Sequence, residues 1–85
     1  MPTKSVVVGS AVGLHARPAA IISEAAGELD SEVLIGVPGR EPVDASSALL
    51  IMTLGASRGD TVEVSGEDQV NVNAIAALVE KDLDA

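Results

Sequence analysis

The 85-residue chain contains no cysteine and no Phe, Tyr or Trp. The absence of cysteine excludes disulfides, thiolate nucleophiles and cysteine-based zinc sites, and it fits a reducing compartment. The absence of aromatic side chains means that the core must be built from Val, Leu, Ile, Ala and two Met. A chain of this length has room for one modest core. We therefore expect residues 1–85 to form a single domain.

Cationic side chains and long apolar runs are also scarce. The chain has 5 Lys and Arg residues against 13 Asp and Glu residues, a formal net charge of −8. Nucleic acids and acidic membrane surfaces are bound through clusters of Lys and Arg, so both are unfavourable partners. The N-terminal apolar run, Val6–Val8, is too short for a signal peptide or a membrane span. We expect a cytoplasmic monomer that does not insert into membranes, because its acidity favours solubility over self-association.

Hydrophobic patterning predicts the element order βαββαβα. Strands are predicted at residues 3–8, 32–37, 40–43 and 61–65, and helices at residues 16–26, 48–54 and about 67–83. Pro38-Gly39 marks the turn between the two middle strands, and Gly27 and Gly55 are placed to stop the first two helices. The short links favour an α+β fold, an open-faced sandwich of a four-stranded antiparallel sheet with three helices on one face. The core-facing helix positions are predicted to be Ala19, Ile22, Ala26, Leu29, Val72, Ile75, Val79 and Leu83.

The only histidine, His15, lies where a loop turns into the first predicted helix, in the string GLHARPAA at residues 13–20. Imidazole is a nucleophile near neutral pH, and a helix start offers free backbone N–H groups and the positive end of the helix dipole. Arg17 adds a permanent cation. If His15 is the N-cap, Pro18 falls in the first turn, where its missing N–H breaks no intrahelical bond. The pattern predicts a phosphoryl-accepting site, with a merely helix-capping histidine as the alternative.

Two other kinds of site are disfavoured by the residues that are present. One histidine without cysteine gives no recognisable metal ligand set. Ser46 and Ser47 have no second base that would complete a hydrolase triad. We therefore expect neither a metal nor a cofactor.

The string at residues 13–19, GLHARPA, resembles the active-site signature of the HPr family, the histidine-containing phosphocarriers of the bacterial phosphoenolpyruvate:sugar phosphotransferase system. A second string, LIMTLG at residues 50–55, followed by Gly59 and a Val-rich strand, resembles the same family independently. The resemblance covers essentially the whole chain. It implies a stoichiometric carrier with a transient phosphohistidine, rather than a turnover enzyme, that supports sugar uptake and phosphorylation.

The resemblance also implies roles for particular residues. His15 would accept the phosphoryl group from phosphorylated enzyme I on Nδ1 and pass it to sugar-specific EIIA proteins. Arg17 would counter the phosphate charge, and the backbone N–H groups of Ala16 and Arg17 would hold its oxygens. These residues require no metal or cofactor.

Partner docking is predicted on the exposed face of the first helix and on the short second helix. The second helix is too uniformly apolar for all of its sides to lie in the core, which indicates an exposed patch; the alternative is that a small core without aromatics needs every aliphatic side chain. The candidate residues, which we call the docking face, are Ala20, Ile21, Glu24, Ala48, Leu49, Leu50 and Met52. Relatives often carry lysines where this chain has Glu24, Ser46 and Leu50, so the usual charge attraction to an acidic enzyme I is in doubt. Val12 stands where relatives often have a polar residue.

A serine at the start of the short helix is phosphorylated by an HPr kinase/phosphorylase in many Gram-positive relatives. Counting back from Thr53-Leu54-Gly55 places Ser47 at that position, with Ser46 as the less favoured neighbour. A phosphate is well accommodated at a helix start, yet its charge would disturb an apolar docking patch. The alternative is that the serine serves only as an N-cap, a position that this residue type favours.

Two other functions remain open at this point. The first is a carrier in a regulatory, nitrogen-type phosphotransferase branch, which would use the same chemistry with signalling partners. The second is a regulator that acts only by binding. A relative of the second kind would be expected to have lost the active histidine, whereas this chain retains His15.

Overall fold

The computed structural model describes residues 2–81 and 83. Residues 1, 82, 84 and 85 of the predicted single domain lie outside the described residues. The elements within them are β1 Thr3–Val7, α1 Ala16–Gly27, β2 Val33–Gly36, β3 Val43–Asp44, α2 Ala48–Thr53, β4 Thr61–Gly66 and α3 Gln69–Glu80. The strands form one antiparallel sheet in the order β1-β4-β2-β3. The predicted element order and the open-faced sandwich are confirmed.

The core lies between one face of the sheet and the helices. In β4, Val62 and Val64 are fully buried while Glu63 between them is exposed, as expected of a strand with one solvated face. Val62 pairs with Val6 of β1, and Val64 pairs with Ile35 of β2. Burying each such aliphatic side chain contributes about 1.5–3 kcal/mol. The aliphatic core expected from the composition is confirmed.

The helices contribute the predicted stripes to this core. The buried members are Ala19, Ile22, Ala26, Val72, Ile75 and Val79. Leu29 and Leu83 are partly buried and pack against the same cluster. The helical spacing of apolar residues therefore identified the inward faces of α1 and α3 correctly.

The third strand differs from its prediction. It was expected at residues 40–43 but spans Val43–Asp44. The turn at Pro38-Gly39 is present, with Gly39 at φ 85°, the left-handed angle that the third residue of a type II turn requires. Pro42 has no N–H to donate to the ladder, so pairing begins only after it.

The ends of two helices also differ from expectation. The last helix was predicted to reach about residue 83 but ends at Glu80, and Lys81 is extended, with φ −76° and ψ 152°. Gly27 was predicted to stop α1, yet it is the last helical residue, without a positive φ, and Glu28 is the C-cap. The last helix begins at Gln69, two residues after its predicted start, and the other predicted bounds differ by at most one residue at an end, where helices and strands fray.

The helices are short. The longest, α1 and α3, have 12 residues each. Across residues 2–81, no helix has the length and apolar character needed to cross a bilayer.

Candidate functional site

The loop before α1 is held by the backbone of the segment that follows α2. The N–H of Leu14 donates to the carbonyl of Ala56 at 2.9 Å, and the Leu14 side chain is buried. Gly13 has φ +75°, and a Cβ there would lie 2.6 Å from the Ala56 oxygen and 2.9 Å from Ser57 Cα. Only glycine fits this left-handed, closely approached position. These contacts fix the backbone conformation of the loop that precedes His15.

His15 is the N-cap of α1, as predicted. Its backbone is extended, with φ −91° and ψ −163°, and its carbonyl accepts the first helical hydrogen bond from the N–H of Ala19 at 2.9 Å. Its side chain makes no capping hydrogen bond and is exposed. His15 therefore caps the helix through its backbone only, and its imidazole is exposed at the start of α1.

The first turn of α1 presents an anion-binding surface beside this imidazole. The N–H groups of Ala16 and Arg17 have no carbonyl acceptor within the helix, because such acceptors begin only four residues into an α-helix. The positive end of the helix dipole lies at the same place. Pro18 occupies the third helical position, within the first turn, so its missing N–H removes no helical hydrogen bond. Its side chain is buried. Ala16 and Arg17 are exposed, which allows a large donor to reach them.

The residues of the predicted docking face differ in exposure. Leu49 and Leu50 are 71% and 41% exposed, while Ile51 beside them is fully buried. The alternative in which every aliphatic side chain of α2 lies in the core is therefore wrong. Ala20 and Glu24 are exposed, whereas the half-buried members of the face are Ile21, Ala48 and Met52. Helices α1 and α2 pack against each other, so the exposed leucines belong to a surface beside α1.

The two serines lie at the start of α2. Ser47 is the N-cap, and its Oγ accepts a hydrogen bond from the N–H of Leu50 at 3.3 Å. Ser46 donates to Asp44 Oδ1 through its backbone N–H at 2.9 Å and through its hydroxyl at 2.7 Å. These hydrogen bonds, the backbone one most strongly, hold the pKa of Asp44 below its ordinary value of 3.8. Phosphorylation of Ser47 or Ser46 stays a prediction.

Two contacts near this region were not predicted. Ser10, treated as an ordinary loop residue, is buried, and its hydroxyl lies 3.3 Å from the carbonyl oxygen of Lys81. The Arg40 guanidinium donates to the carbonyl of Leu54 at 3.5 Å, near the C-terminal end of α2, where a cation is favourable. Ser10 and Lys81 are 71 residues apart in sequence, and no local pattern signals such a contact.

The described residues offer no cluster of three or more His, Asp or Glu side chains that could hold a metal ion. The chemistry available at the start of α1 is that of an exposed imidazole, a cation and free N–H groups. That set suits the transfer of an anionic group to and from the imidazole.

The chain is similar to known phosphocarrier proteins. The family model for PTS-HPr, described as the PTS HPr component phosphorylation site, matches residues 2–81. Relatives include the phosphocarrier protein HPr of Mycoplasma pneumoniae, 38% identical over 79 residues and covering 89% of this chain and 90% of that protein. The phosphocarrier protein NPr of Klebsiella oxytoca is 28% identical over 76 residues, covering 89% of this chain and 84% of that protein.

A solved structure with the same architecture is that of HPr-C-His from Thermoanaerobacter tengcongensis. It matches with a TM-score of 0.87 at 30% identity, covering 100% of this chain and 98% of that chain. The family match spans nearly every residue described, and the fold agrees with it throughout. The chain therefore belongs to the PTS-HPr family, the HPr phosphocarriers of the phosphotransferase system, which are generally not turnover enzymes.

Proposed function

We propose that this protein carries a phosphoryl group on His15, accepting it from phosphorylated enzyme I and passing it to sugar-specific EIIA proteins. The observation that carries the proposal is the exposed imidazole at the N-cap of α1, which makes no capping hydrogen bond and adjoins free first-turn N–H groups. Exchange with enzyme I would take place in the cytoplasm, and a single copy of the chain supplies every residue that the step needs.

The proposed step is an in-line transfer of the phosphoryl group from its donor to Nδ1 of His15. The Nδ1 lone pair of neutral His15 attacks the phosphorus of the phosphorylated donor. The new N–P bond forms as the donor's bond to phosphorus breaks and its electron pair returns to the donor. The reverse exchange delivers the group to EIIA, and the lability of the N–P bond makes departure as feasible as arrival.

The chain stabilises charge during this exchange. Negative charge on the transferring group is spread over three oxygens, so positioning and electrostatics dominate catalysis of phosphoryl transfer. The N–H groups of Ala16 and Arg17 would donate to these oxygens, and the Arg17 guanidinium would counter their charge. Pro18 would direct the chain into the helix without donating.

We propose further that enzyme I binds the docking face through apolar contact. Leu49 and Leu50 are the exposed apolar side chains of α2, and Glu24 places a negative charge on the neighbouring helix. The chain has a formal net charge of −8, and Glu24 is exposed on this face, so electrostatic attraction to an acidic partner should be weak. The matching surface on enzyme I is therefore expected to be apolar rather than strongly acidic.

The docking proposal is tested by Leu49→Asp. A buried charge at the interface should raise KM for phosphorylation by enzyme I by about 10-fold, with kcat little changed, because the lost contact is made equally in the ground and transition states. The matched control is Val70→Asp on α3, since Val70 is 74% exposed and lies outside the docking face. Equal KM values for the two variants would contradict the proposed face.

The carrier function is tested by mixing the purified protein with phosphoenolpyruvate and enzyme I from the same organism. Intact mass measured under neutral conditions should show one added phosphoryl group, labile in acid and absent in His15→Ala. The absence of any addition, with enzyme I shown to be active on another carrier, would contradict the proposal.

A regulatory, nitrogen-type branch is the second candidate, supported by the similarity to phosphocarrier protein NPr. The chemistry at His15 would be unchanged, so the two candidates differ in the partners that supply and receive the phosphoryl group. Parallel assays with each enzyme I homologue of the organism separate them by relative kcat/KM. A binding-only regulator would be phosphorylated by none of them.

Regulation by an HPr kinase/phosphorylase at Ser47 is proposed as an addition to the carrier function. A phosphate there would lie at the start of α2, with Asp44 nearby and Leu50 in the same turn. Its charge would oppose apolar docking. Incubation with the kinase and ATP should add one acid-stable phosphate to the protein and none to Ser47→Ala; addition to that variant but not to Ser46→Ala would move the site to Ser46.

A further inference from the structure

Ser10 is a buried polar residue whose hydroxyl is fully engaged. It is 1% exposed, and its Oγ donates to the carbonyl of Lys81 at 3.3 Å and accepts from the N–H of Leu83 at 3.2 Å. A hydroxyl has one proton to donate and lone pairs to accept, and this one uses both functions. The loop before His15 is thereby tied to the chain that leaves α3.

The neighbouring residue strengthens the same junction. The N–H of Gly9 donates to the carbonyl of Val79 at 3.0 Å. A Cβ at Gly9 would collide with the carbonyl oxygen of Glu80, so the backbone approach requires glycine. The loop thus supplies donors to the carbonyls at the C-terminal end of α3, which have no helical partners of their own.

The backbone connects the hydrogen bonds of Gly9 and Ser10 to His15. The carbonyl of Ser10 accepts from the N–H of Gly13 at 3.0 Å, which closes a tight turn. The next residue, Leu14, is buried and bonded to Ala56, and His15 follows it directly. The imidazole makes no capping hydrogen bond that would fix its position. Its position therefore depends largely on the backbone of this loop.

We propose that Ser10 is a positioning residue for phosphoryl transfer, holding the His15 loop on the C-terminal end of α3. The inference rests on the proposed function of His15. Transfer requires the nucleophile to lie within a narrow distance and angle of phosphorus, and a misplacement of about 1 Å costs on the order of 100-fold in rate. Loss of the Ser10 hydrogen bonds should therefore lower kcat. KM should stay unchanged, because the docking face is not altered.

The test compares Ser10→Ala with the matched control Ser31→Ala. Ser31 also accepts a part-buried hydrogen bond, from Asn71 Nδ2 at 2.8 Å, but it precedes β2 at the end of the sheet opposite the site. Ser10→Ala leaves two backbone groups without their partner and Ser31→Ala leaves one side-chain donor without it, so the free energy of unfolding, measured by urea denaturation, should fall in both variants and more in Ser10→Ala; kcat is therefore compared on the folded fraction of each. With enzyme I and phosphoenolpyruvate, kcat should fall about 10-fold for Ser10→Ala and stay within about 2-fold for Ser31→Ala.

A second variant keeps the inference testable if Ser10→Ala does not fold. Leu83→Pro removes the N–H that donates to Ser10 Oγ and should also lower kcat. If the wild type is phosphorylated and the Ser10 and Leu83 variants match Ser31→Ala in kcat, the inference is overturned and the proposed function stands. If the wild type accepts no phosphate at His15 from any enzyme I homologue, the proposed function fails and the inference fails with it.

Discussion

The starts of α1 and α3 share a backbone shape but use it differently. Both N-cap residues are extended: His15 has φ −91° and ψ −163°, and Asp68 has φ −109° and ψ 117°. The Asp68 carboxylate accepts a hydrogen bond from the N–H of Val70 at 2.9 Å, whereas the His15 side chain makes no such bond. The start of α3 is therefore closed by its own side chain, and the start of α1 is left open to a ligand.

The difference has a stability consequence. A good N-cap contributes about 1 kcal/mol relative to a residue that does not cap. Placing histidine at the start of α1 forgoes that contribution and leaves the first-turn N–H groups available to an anion. Local rules of helix capping are broken in this chain at the position where the proposed chemistry takes place.

The strongest test of the comparison is His15→Asp, which gives α1 the cap residue of α3. Phosphoryl acceptance should disappear completely, because the nucleophile is gone. The free energy of unfolding should rise by about 0.5–1 kcal/mol, since the carboxylate can accept from a first-turn N–H and favours the dipole. Intact mass and urea denaturation measure the two effects. A destabilised variant would show that the start of α1 cannot accept a capping side chain.

Arg17→Ala should have the next largest effect. Arg17 is proposed to counter the charge of the transferring phosphoryl group, so its removal should lower the rate by about 100-fold, while an exposed side chain contributes little to stability. Arg17→Lys should recover only part of the rate, because an ammonium lacks the fork of donors. Lys4→Ala on β1 is the matched control for charge. A rate unchanged from wild type in Arg17→Ala would remove Arg17 from the site.

Asp68→Ala tests the capping contribution at the start of α3. Loss of the cap should lower the free energy of unfolding by about 1 kcal/mol. For a domain of this size, the melting temperature should fall by about 4–8 °C per kcal/mol. Transfer through His15 should proceed at the wild-type rate in the folded protein. A fall in kcat comparable to that of Arg17→Ala would show that the two helix starts are not independent.

The smallest effect concerns Asp44, just before α2. Its pKa is lowered in the folded protein by hydrogen bonds from Ser46, so the ionised form is the one that stabilises the fold. That contribution is present above pH 3.8 and is lost as pH falls through the lower folded pKa. Urea denaturation of wild type and Asp44→Asn should therefore differ at neutral pH and converge in acid. A difference that grows in acid would contradict the assignment.

Most of the fold could be predicted because its signals are local. Apolar spacing identified the inward faces of α1 and α3, and Pro38-Gly39 identified the turn between β2 and β3. One error arose where distant residues contribute to a boundary. The last helix stops at Glu80, where the N–H of Gly9 donates to the carbonyl of Val79 and the Ser10 hydroxyl donates to the carbonyl of Lys81; the sequence near residue 80 does not contain these donors.

The sequence by itself determined that a helix begins within a few residues before Pro18, since proline is tolerated in the first turn of a helix but not in its middle. It also determined the aliphatic core and the order of the elements. Tertiary structure alone decided that Ser10 is buried and that its hydroxyl reaches the carbonyl of Lys81. The physical reason is range: capping and periodicity depend on neighbours within a turn or two, whereas burial and buried hydrogen bonds depend on which distant segments the closed fold brings together.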